Sequence, residues 1–355
     1  MNLLVNALPT RTWNRLNMNE TKVTVDAVPE NHTPQAHWNE QEITWLPNAR
    51  GTCLRQLAGH DLTALTAQAE TALAQTAEGV SMSCPIRLHY QYHTGENGAS
   101  RLVLHAAGNS RLRAMLLLTD EDVAADGLTV LQTEILAEEN AVVELYMVQL
   151  LGSSRTCIQD ISGICAASAQ VHLTKLELGG GKVYTNTNLD LRGRDSQFTA
   201  ELGYHVLTGQ TLDMNYVATH HGAQTVSNMA VCGTLEEDAR KLFRGTIDFQ
   251  RGCKGAKGDE VENVLLMGDN MVNQTIPLIL CKEEDVEGNH GASIGRLDEK
   301  VLFYLSTRGI SQEMAAQMIA AARIEAICGK MPDEAVSDLV HEFEEKRGAG
   351  HESGL

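Results

Sequence analysis

The chain has 355 residues and a formal net charge of −18. This length is sufficient for one large core with smaller appendages, and the negative charge would repel nucleic-acid phosphates, so nucleic-acid binding is not expected. Residues Met1 to Trp13 lack a basic stretch followed by an apolar run, and the most apolar segment, Ala141 to Leu151, is too short to span a bilayer. The sequence therefore predicts a soluble cytoplasmic protein with no membrane partner.

Eight cysteines are spread along the chain, and no two of them form a Cys-x-x-Cys motif. This spacing argues against a zinc ribbon or a ferredoxin-like cluster held by one local motif. It is typical of a protein in a reducing compartment, where free cysteines are small buried side chains. The eight are Cys53, Cys84, Cys157, Cys165, Cys232, Cys253, Cys281 and Cys328.

The first 85 residues are predicted to form a partly helical N-terminal region. Residues 1–50 are polar and irregular. From His60 to Thr76 the apolar residues recur at helical spacing, with Leu62, Leu65 and Leu73 on one face. We expect an amphipathic helix there that covers one end of the domain that follows.

Between residues 86 and 295 apolar and polar residues mostly alternate, which is the period of a β-strand. The alternation is unbroken at Val183–Leu191, Phe198–Val206 and Leu212–Ala218, and turns containing glycine separate such segments. Strands start on the order of every 15 residues, which leaves no room for helices between them. The region is therefore predicted to be a single β-rich core.

Two architectures accommodate so many short strands: an antiparallel sandwich and a parallel β-helix. Hairpin signals of the Asn-Gly or Asp-Gly kind are few within the clearest strands, which favours the β-helix. A β-helix buries one face of every strand in a single column, and its open ends need covers. The helical segments predicted on either side of the core are candidates for those covers.

Residues 296–347 are predicted to form a C-terminal helical region. Ser311 is a suitable N-cap for a helix whose apolar stripe stops at Gly329, and Pro332 opens a second helix. These amphipathic helices either pack on their own domain or bind a partner. Residues 348–355 are expected to be a disordered tail.

Local motifs for metal or nucleotide binding are weak. His220 and His221 invite a metal-site interpretation, but adjacent residues of a strand point to opposite faces, so they are not expected to chelate one ion. The glycine run Gly179 to Lys182 lacks the spacing of a phosphate-binding loop. Any dependence on ATP would therefore come from a partner.

The most specific signal is the segment from Asp285 to Ile310, where the strand period gives way to a helical period. His290 lies between Gly288 and Gly291, where the backbone is free to turn and can present the imidazole outward. The run His-Gly-Ala-Ser-Ile-Gly-Arg-Leu-Asp, followed by Leu-Phe-Tyr-Leu and Arg-Gly-Ile, closely resembles the C-terminal signature of the SufB/SufD family of iron–sulfur cluster assembly scaffolds.

This resemblance, which covers residues 210–343 well, implies a right-handed parallel β-helix flanked by N-terminal and C-terminal helical regions. It also implies a scaffold without enzymatic activity that pairs with a SufB-like paralogue and binds a SufC-like ATPase through its C-terminal helices. His290 is similar to the histidine that SufD-type members carry near their contact with SufB, so it is the expected iron or cluster ligand. Other positions that match the family are Gln210, Asp213, His220, His221, Thr225, Ser227, Phe243 to Ile247, Ala256 and Lys257.

Three departures from the family pattern limit what the resemblance implies for this chain, which looks SufD-like and lacks the SufB-type thiol. Gly288 stands where SufD-type members often have a cysteine, and Met271 stands at the position of the SufB-type cysteine. Asn289 and Gly291 replace the acidic neighbours of the SufB-type histidine. We therefore expect no cofactor bound stably by this chain alone, and a transient iron–sulfur cluster at a partner interface. The sequence leaves a homodimer and a heterodimer equally open.

Two other functions are consistent with parts of the sequence. One is a SufB-like scaffold that carries a cluster or a flavin. The other is a β-helical carbohydrate-active enzyme, because long β-helices often act on polysaccharides. No pair of acidic residues can be placed by spacing to support the second alternative.

Overall fold

The computed structural model describes residues 1–12, 14–49 and 62–352. Within these ranges the chain is mainly strand and forms a parallel β-solenoid of about eight turns, followed by helices. The N-terminal elements are β1 (Asn2–Val5), a 3₁₀ turn (Asn14–Leu16), β2 (Thr21–Thr24), β3 (Glu30–Asn31), β4 (Gln35–His37) and β5 (Thr44–Leu46). The solenoid strands are β6 (Thr71–Gln75), β7 (Ile86–Tyr92), β8 (Asn97–Ala106), β9 (Arg111–Asp120), β10 (Asp126–Ala137), β11 (Val142–Leu150), β12 (Ser154–Cys165), β13 (Gln170–Glu177), β14 (Lys182–Leu191), β15 (Gln197–Val206), β16 (Thr211–His220), β17 (Val226–Leu235), β18 (Arg240–Phe249), β19 (Ala256–Leu266), β20 (Val272–Cys281) and β21 (Val286–Gly295). The helices are α1 (Glu299–Thr307), α2 (Gln312–Cys328) and α3 (Glu334–Glu352).

The solenoid strands alternate between two parallel sheets. The even sheet contains β6, β8 and the following even-numbered strands to β20, and the odd sheet contains β7, β9 and the following odd-numbered strands to β21. Leu189, Ala218 and Ile247 are register partners on successive strands of the even sheet, at positions 29 residues apart. One turn therefore consists of two strands and two connections. The predicted parallel β-helix is confirmed, and the sandwich alternative is wrong.

One face of each strand supplies the core between the two sheets. Leu189 and Ala218 of the even sheet and Phe198 of the odd sheet are fully buried in one hydrophobic cluster. The core is packed tightly enough to require glycine at some positions. A Cβ at Gly233 would lie 2.2 Å from ring atoms of Tyr204 on the neighbouring strand. The alternating pattern of the sequence thus corresponds to one inward and one outward face per strand.

Corners of the solenoid use short polar residues in a left-handed backbone conformation. The φ angle is +55° at Asn109, +57° at Asn140 and +59° at Asp195. Asparagine and aspartate tolerate this region because their short polar side chains can hydrogen-bond locally. Asn140 Nδ2 donates to Asn109 Oδ1 at 3.1 Å, which joins the corners of successive turns.

A fully buried arginine joins three connections at one corner. Arg155 donates from Nε and Nη2 to the Asp120 carboxylate, each at 2.7 Å. It also donates to the backbone oxygens of Glu96 at 2.7 Å and His93 at 2.8 Å. All of these acceptors surround a guanidinium that has no exposed side-chain surface. The arrangement satisfies a charge that would otherwise be costly to bury.

The N-terminal strands cover the first turn and part of the even sheet. β4 and β5, of three residues each, pair antiparallel with β7 and β6 and end the two sheets. The β1–β2 pair lies on the outer face of the even sheet. Asn6 Nδ2 donates to Asp213 Oδ1 at 2.6 Å, and buried Arg244 donates to Asp213 and to Thr21 Oγ1.

The prediction of a helix between His60 and Thr76 is wrong, because none of the described residues in this range is helical. His60 itself lies outside them, Leu62 to Ala69 form turns, and residues 71–75 form strand β6. Leu62 and Leu65 pack in a cluster with Val5 and Val23 of the N-terminal pair. The only helical turn described in the N-terminal region is the 3₁₀ turn at residues 14–16.

The C-terminal region is helical, as predicted. Ser311 caps α2 by accepting a hydrogen bond from Met314 N at 3.1 Å, and the helix ends at Gly329. A helix not distinguished in the sequence, α1, precedes it and is capped by the Asp298 carboxylate. Helix α3 continues to Glu352, five residues past Arg347, where the tail was predicted to start. Residues 353–355 lie outside the described residues.

Helices α2 and α3 pack on the outer face of the odd sheet. Ile324 and Ile327 of α2 and Phe343 of α3 are buried against Leu176 and Leu178. The contact removes the apolar faces of both helices from water, which favours docking by roughly 1.5–3 kcal/mol for each large side chain. Packing on the chain's own domain is therefore confirmed for these two faces.

A buried histidine adds a polar contact between α3 and the solenoid. His205 Nδ1 lies 3.1 Å from Glu344 Oε2 of α3, and Nε2 lies 3.0 Å from Glu236 Oε1. Burial lowers the pKa of His205, but the hydrogen bonds with Glu236 and Glu344 outweigh it, so the pKa is raised. The protonated imidazole can donate to both carboxylates and hold α3 in place.

Candidate functional site

Among the described residues, the C-terminal end of the solenoid is left uncovered. β20 and β21 are the last strands of the even and odd sheets, and each pairs on one side only among the described residues. Every residue of β21 except Val286 is exposed, and β20 is mostly half-buried. An unpaired strand edge presents a row of free backbone donors and acceptors to another chain. This end therefore combines two free edges with the last rung of the inner column.

His290 lies in the middle of β21, within the predicted β-helix core, and the backbone there is extended although its neighbours include glycines. Its register partner on β19 is Glu260. A Cβ at Gly288 would lie 3.0 Å from Phe249, which belongs to the core, so position 288 faces inward. His290, two residues further along the strand, is on the same inward face. The imidazole is exposed because the described chain adds no further turn over it.

Glu260 is the residue beneath His290 in the inner column. Its side chain is 3% exposed, and its carboxyl group packs directly on Gly245 of the opposite sheet. Burial and, secondly, the charge of Glu262 raise the pKa of Glu260 to about 8. A carboxyl group in this position holds its proton more strongly than an exposed one.

A buried ion pair lies beside Glu260. Lys241 Nζ donates to the carboxylate of Glu262 and to Thr275 Oγ1, the latter at 3.0 Å. Thr275 Oγ1 donates to Glu262 Oε2 at 2.6 Å. Burial lowers the pKa of Lys241, although the Glu262 charge opposes this. Both charges of the pair are compensated within the group, so it adds no net charge to the open end.

A second polar group lies deeper in the solenoid. Lys175 Nζ is 2.8 Å from Glu177 Oε1 and donates to Thr185 Oγ1 at 2.6 Å, and Gln159 Nε2 donates to Glu177 Oε2 at 3.3 Å. The nearby thiol of Cys157 is fully buried, and burial raises its pKa to about 12. The sequence contains a signal for this group. Lys175 and Glu177 follow the inward-facing Val171 and Leu173 at a spacing of two residues, so two charged side chains occupy positions of β13 that are expected to be apolar.

His220 and His221 point to opposite faces, as the strand period predicts. His220 is buried, with Nδ1 2.8 Å from Thr225 Oγ1 and Nε2 2.9 Å from Ser227 Oγ. Burial, with a smaller contribution from His221, lowers its pKa to about 4. His221 is exposed and pairs with Asp190 Oδ1 at 2.7 Å. The first imidazole thus stays neutral in a satisfied core position.

The remaining residues that match the family do not gather around His290. Gln210 accepts a hydrogen bond from Leu207 N in a turn, and Asp213 and Arg244 lie beneath the N-terminal strands on the outer face. Gly245 is the exception, because it lies under Glu260. The matching positions therefore serve mainly the turns and the packing of the solenoid.

The cysteines are dispersed, as their spacing predicts. All those described are free, and Cys157, Cys165, Cys253 and Cys328 are buried. Cys281 is exposed on β20 at the open end, where its thiol donates to the Glu283 backbone oxygen at 3.0 Å. Cys53 lies outside the described residues. Among the residues described, no group of three or more His, Cys, Asp or Glu is arranged to hold a metal ion.

The C-terminal helices carry an exposed apolar surface next to the open end. Phe303 of α1 is 72% exposed, and Val301 and Tyr304 are also exposed. Met314 and Met318 of α2 are exposed as well. A groove of about 600 Å³ lies between α2 and strands of the odd sheet. None of the helices in the described ranges is long and apolar enough to cross a membrane.

The fold and these surfaces define a class of protein: a parallel β-helix with one uncovered end, an imidazole on the last inward rung, and C-terminal helices docked on one sheet. The family model described as SUF system FeS cluster assembly, SufBD core domain, matches residues 90–323. The chain therefore belongs to the SufBD family of iron–sulfur cluster assembly proteins.

Relatives of this chain include two proteins named SufD. SufD of Bacillus subtilis is 22% identical over 296 residues, which is 81% of this chain and 67% of that protein. SufD of Escherichia coli is 28% identical over 163 residues, which is 46% of this chain and 38% of that protein. A chloroplastic SufBD family protein of Arabidopsis thaliana is 29% identical over 175 residues, or 48% of this chain and 31% of that protein. The chain thus spans between about a third and two thirds of these relatives.

Proposed function

We propose that this chain is a SufD-like scaffold subunit of an iron–sulfur cluster assembly complex, without enzymatic activity of its own. It pairs with a SufB-like paralogue through the open end of its solenoid, binds a SufC-like ATPase through its C-terminal helices, and contributes His290 to iron or cluster handling. The observation that carries the proposal is the uncovered last turn with an imidazole on its inward face. The names of its relatives support the assembly role.

The open end supports pairing with a protein of the same fold. A second solenoid can add its own last strands to β20 and β21, so backbone hydrogen bonds would continue both sheets across the interface. The inner columns of the two molecules would then meet, and His290 would become buried between them. A paralogue that offers a thiolate there would complete a ligand set that this chain lacks.

The apolar surface of α1 and α2 supports the ATPase contact. Phe303, Tyr304 and Met318 are large and exposed, whereas the opposite faces of α2 and α3 are used for docking on the solenoid. Aromatic and methionine side chains are enriched in the buried centres of protein interfaces. Movement driven by ATP in the partner could be transmitted through α1 to β21, because only residues 296–298 separate them.

Pairing is tested by anaerobic co-purification of the tagged chain with a SufB-like and a SufC-like protein. Ala292→Lys, on the exposed inward face of β21, should abolish recovery of the paralogue, because a lysine ammonium would be forced into the interface. Val28→Lys, at an exposed N-terminal position, is the control and should behave as wild type. Recovery of neither partner with the wild-type chain, or equal recovery with both variants, would count against the proposal.

The ATPase contact is tested by replacing both Phe303 and Tyr304 with serine. The double variant should lose the ATPase and retain the paralogue, because the substitutions leave β20 and β21 unchanged. Leu16→Ser removes a similarly exposed apolar side chain from the N-terminal region and should have no effect. Retention of the ATPase by the double variant would refute this assignment of the surface.

The role of His290 is tested by cluster assembly in cells that depend on this chain. His290→Ala should reduce the activity of a reporter iron–sulfur enzyme while leaving co-purification intact. His93→Ala, which removes an exposed histidine in a corner loop, is the matched control. Full cluster assembly with His290→Ala would eliminate His290 from the proposal and leave the scaffold role standing.

A further inference from the structure

The groove beside α2 lies over strands β15, β17 and β19 of the odd sheet. Its floor includes Ala230 and Val261, which are register partners on β17 and β19 and face outward. Its wall includes Met318, Ala322 and Ala326, which follow one another at helical spacing along one side of α2. All five side chains are exposed, so no described part of the chain fills the groove. A volume of about 600 Å³ with mainly apolar walls is in the range of small-molecule sites.

Arg323 of α2 places a positive charge in this groove. Its Nη1 donates to the backbone oxygens of Gly233 and Asn263, each at 3.2 Å, and Nη2 donates to Asn263 Oδ1 at 3.2 Å. Nη1 also lies 3.5 Å from Cys232 Sγ. All of these partners are neutral, and no carboxylate in the described ranges pairs with Arg323. The charge of the guanidinium is therefore left uncompensated at the groove.

One edge of this guanidinium is available to a ligand. A guanidinium carries five N–H donors in a planar fork. Asn263 occupies the edge formed by Nη1 and Nη2, whereas Nε of Arg323 has no acceptor among the described residues and is not buried. Nε and the second hydrogen of Nη2 form an edge that matches the two oxygens of a carboxylate.

The other charged residues of the groove leave its net charge positive. Lys330 Nζ donates to Glu201 Oε1 at 2.5 Å, so these two charges compensate each other. The charge of Arg323 remains, although the chain as a whole carries −18. The groove is thus a positively charged apolar site on an acidic protein, which favours an apolar ligand with one negative charge.

The backbone around the groove favours an aliphatic acid over an extended peptide. β17 and β19 lie inside the odd sheet and pair on both sides. An extended peptide would find no free strand edge there, so its own backbone donors and acceptors would be left unpaired. A hydrocarbon chain has no such groups to satisfy.

We propose that the groove binds a medium-chain fatty acid. Its carboxylate pairs with the Nε and Nη2 edge of Arg323, and its hydrocarbon chain lies between Val261 and Ala322. Burial of the chain and two charge-assisted hydrogen bonds both favour binding. Neither the paralogue nor the ATPase is needed for it, so the site is independent of the proposed scaffold role.

The test is calorimetric titration of the purified full chain with decanoate, kept below the concentration at which it forms micelles. The wild-type chain should bind one decanoate, and decanol, which replaces the carboxylate with a hydroxyl, should bind at least about tenfold more weakly. Arg323→Gln should weaken decanoate binding by a similar factor, whereas Arg251→Gln, in an exposed turn, should bind as wild type. Ala322→Trp should abolish binding by filling the groove, and Ala321→Trp, at an exposed position of α2 outside the groove, is its control. Circular dichroism establishes that each variant is folded.

Each outcome decides the proposal. Equal affinities for decanoate and decanol, or unchanged binding by Arg323→Gln, would refute the carboxylate contact. Absence of binding by the wild-type chain, or equal binding by Ala322→Trp and Ala321→Trp, would overturn the groove as the site. If Arg323→Gln does not fold, the comparison of the two ligands and of the two tryptophan variants still decides. Loss of the SufC-like ATPase by Ala322→Trp, with no decanoate bound by the wild-type chain, would make the groove a protein contact and leave the scaffold role standing.

Discussion

Replacing Asp160 with asparagine is expected to stabilise the protein at neutral pH. The carboxyl group is 2% exposed on the outer face of the even sheet and accepts a hydrogen bond from Asn186 Nδ2 at 2.7 Å. Burial raises its pKa to about 6, against the lowering effect of hydrogen bonds from Asn186 and Gln132. The rise from 3.8 to about 6 corresponds to a ceiling of about 3 kcal/mol above pH 6. We expect a gain of about 1–3 kcal/mol, because the asparagine oxygen still accepts from Asn186.

The pH dependence identifies the cause of this gain. The folded pKa exceeds the unfolded one, so the contribution of Asp160 to stability is fully present below about pH 4 and is lost as the pH rises through about 6. Urea unfolding followed by circular dichroism should show a large gain for Asp160→Asn at about pH 7.5 and a smaller one at about pH 4.5. Asp338→Asn, at an exposed position of α3, should change little at either pH. A loss of stability at pH 7.5, or equal gains at both values, would refute the reasoning.

Gly233→Ala should cost about 1–3 kcal/mol in a thermal melt, because the new Cβ would overlap the buried tyrosine ring packed on it. Gly291→Ala, where a Cβ meets no atom within 4 Å, should be neutral, and equal effects would contradict the packing argument. Arg155→Met should cost about 3–5 kcal/mol in urea unfolding, since it leaves a buried carboxylate uncompensated, and a loss below about 1 kcal/mol would argue otherwise. His205→Gln should destabilise more at about pH 6 than at about pH 8.5, because the raised pKa makes the stabilising charge present below 6.5 and lost as the pH rises through the folded pKa. Protease sensitivity of α3 measured at both pH values checks this, and equal sensitivity would exclude the charge of His205 as the cause.

The two-residue period predicted the solenoid because alternate residues of its strands point inward and are mostly apolar, whether or not the outer face is covered. The same criterion failed near Leu73, because alanine and leucine there fit a helical and a strand period equally well. Ala72 and Ala74, on either side of Leu73, are buried because the longer strand β8 pairs with β6, and the local sequence does not reveal this pairing. Helix α1 was missed for a different reason: it has only nine residues, and three of its large apolar side chains, Val301, Phe303 and Tyr304, stay exposed.

The position of His290 in the sequence was informative, but its local structure was not. The nearby glycines leave the backbone free to turn, and only pairing with β19 shows that this segment is extended. Glu260 and Lys241 were not recognised as part of a site, although both occupy inward positions. The charge of Lys241 is compensated by a residue of the opposite sheet, Glu262, which is 21 positions away in the sequence. A sequence read strand by strand does not reveal which buried charge is left without a partner.

The difference between the two ends of the solenoid limits how molecules of this kind can associate. At the start, β4 and β5 are three residues long and reversed in direction, so they make poor templates for another sheet. At the other end, β20 and β21 each offer ten residues of free edge. Joining two molecules through these edges uses up every long free edge in the described part of the chain. Such a union is complete at two copies and cannot propagate into a filament, whatever the concentration of the protein.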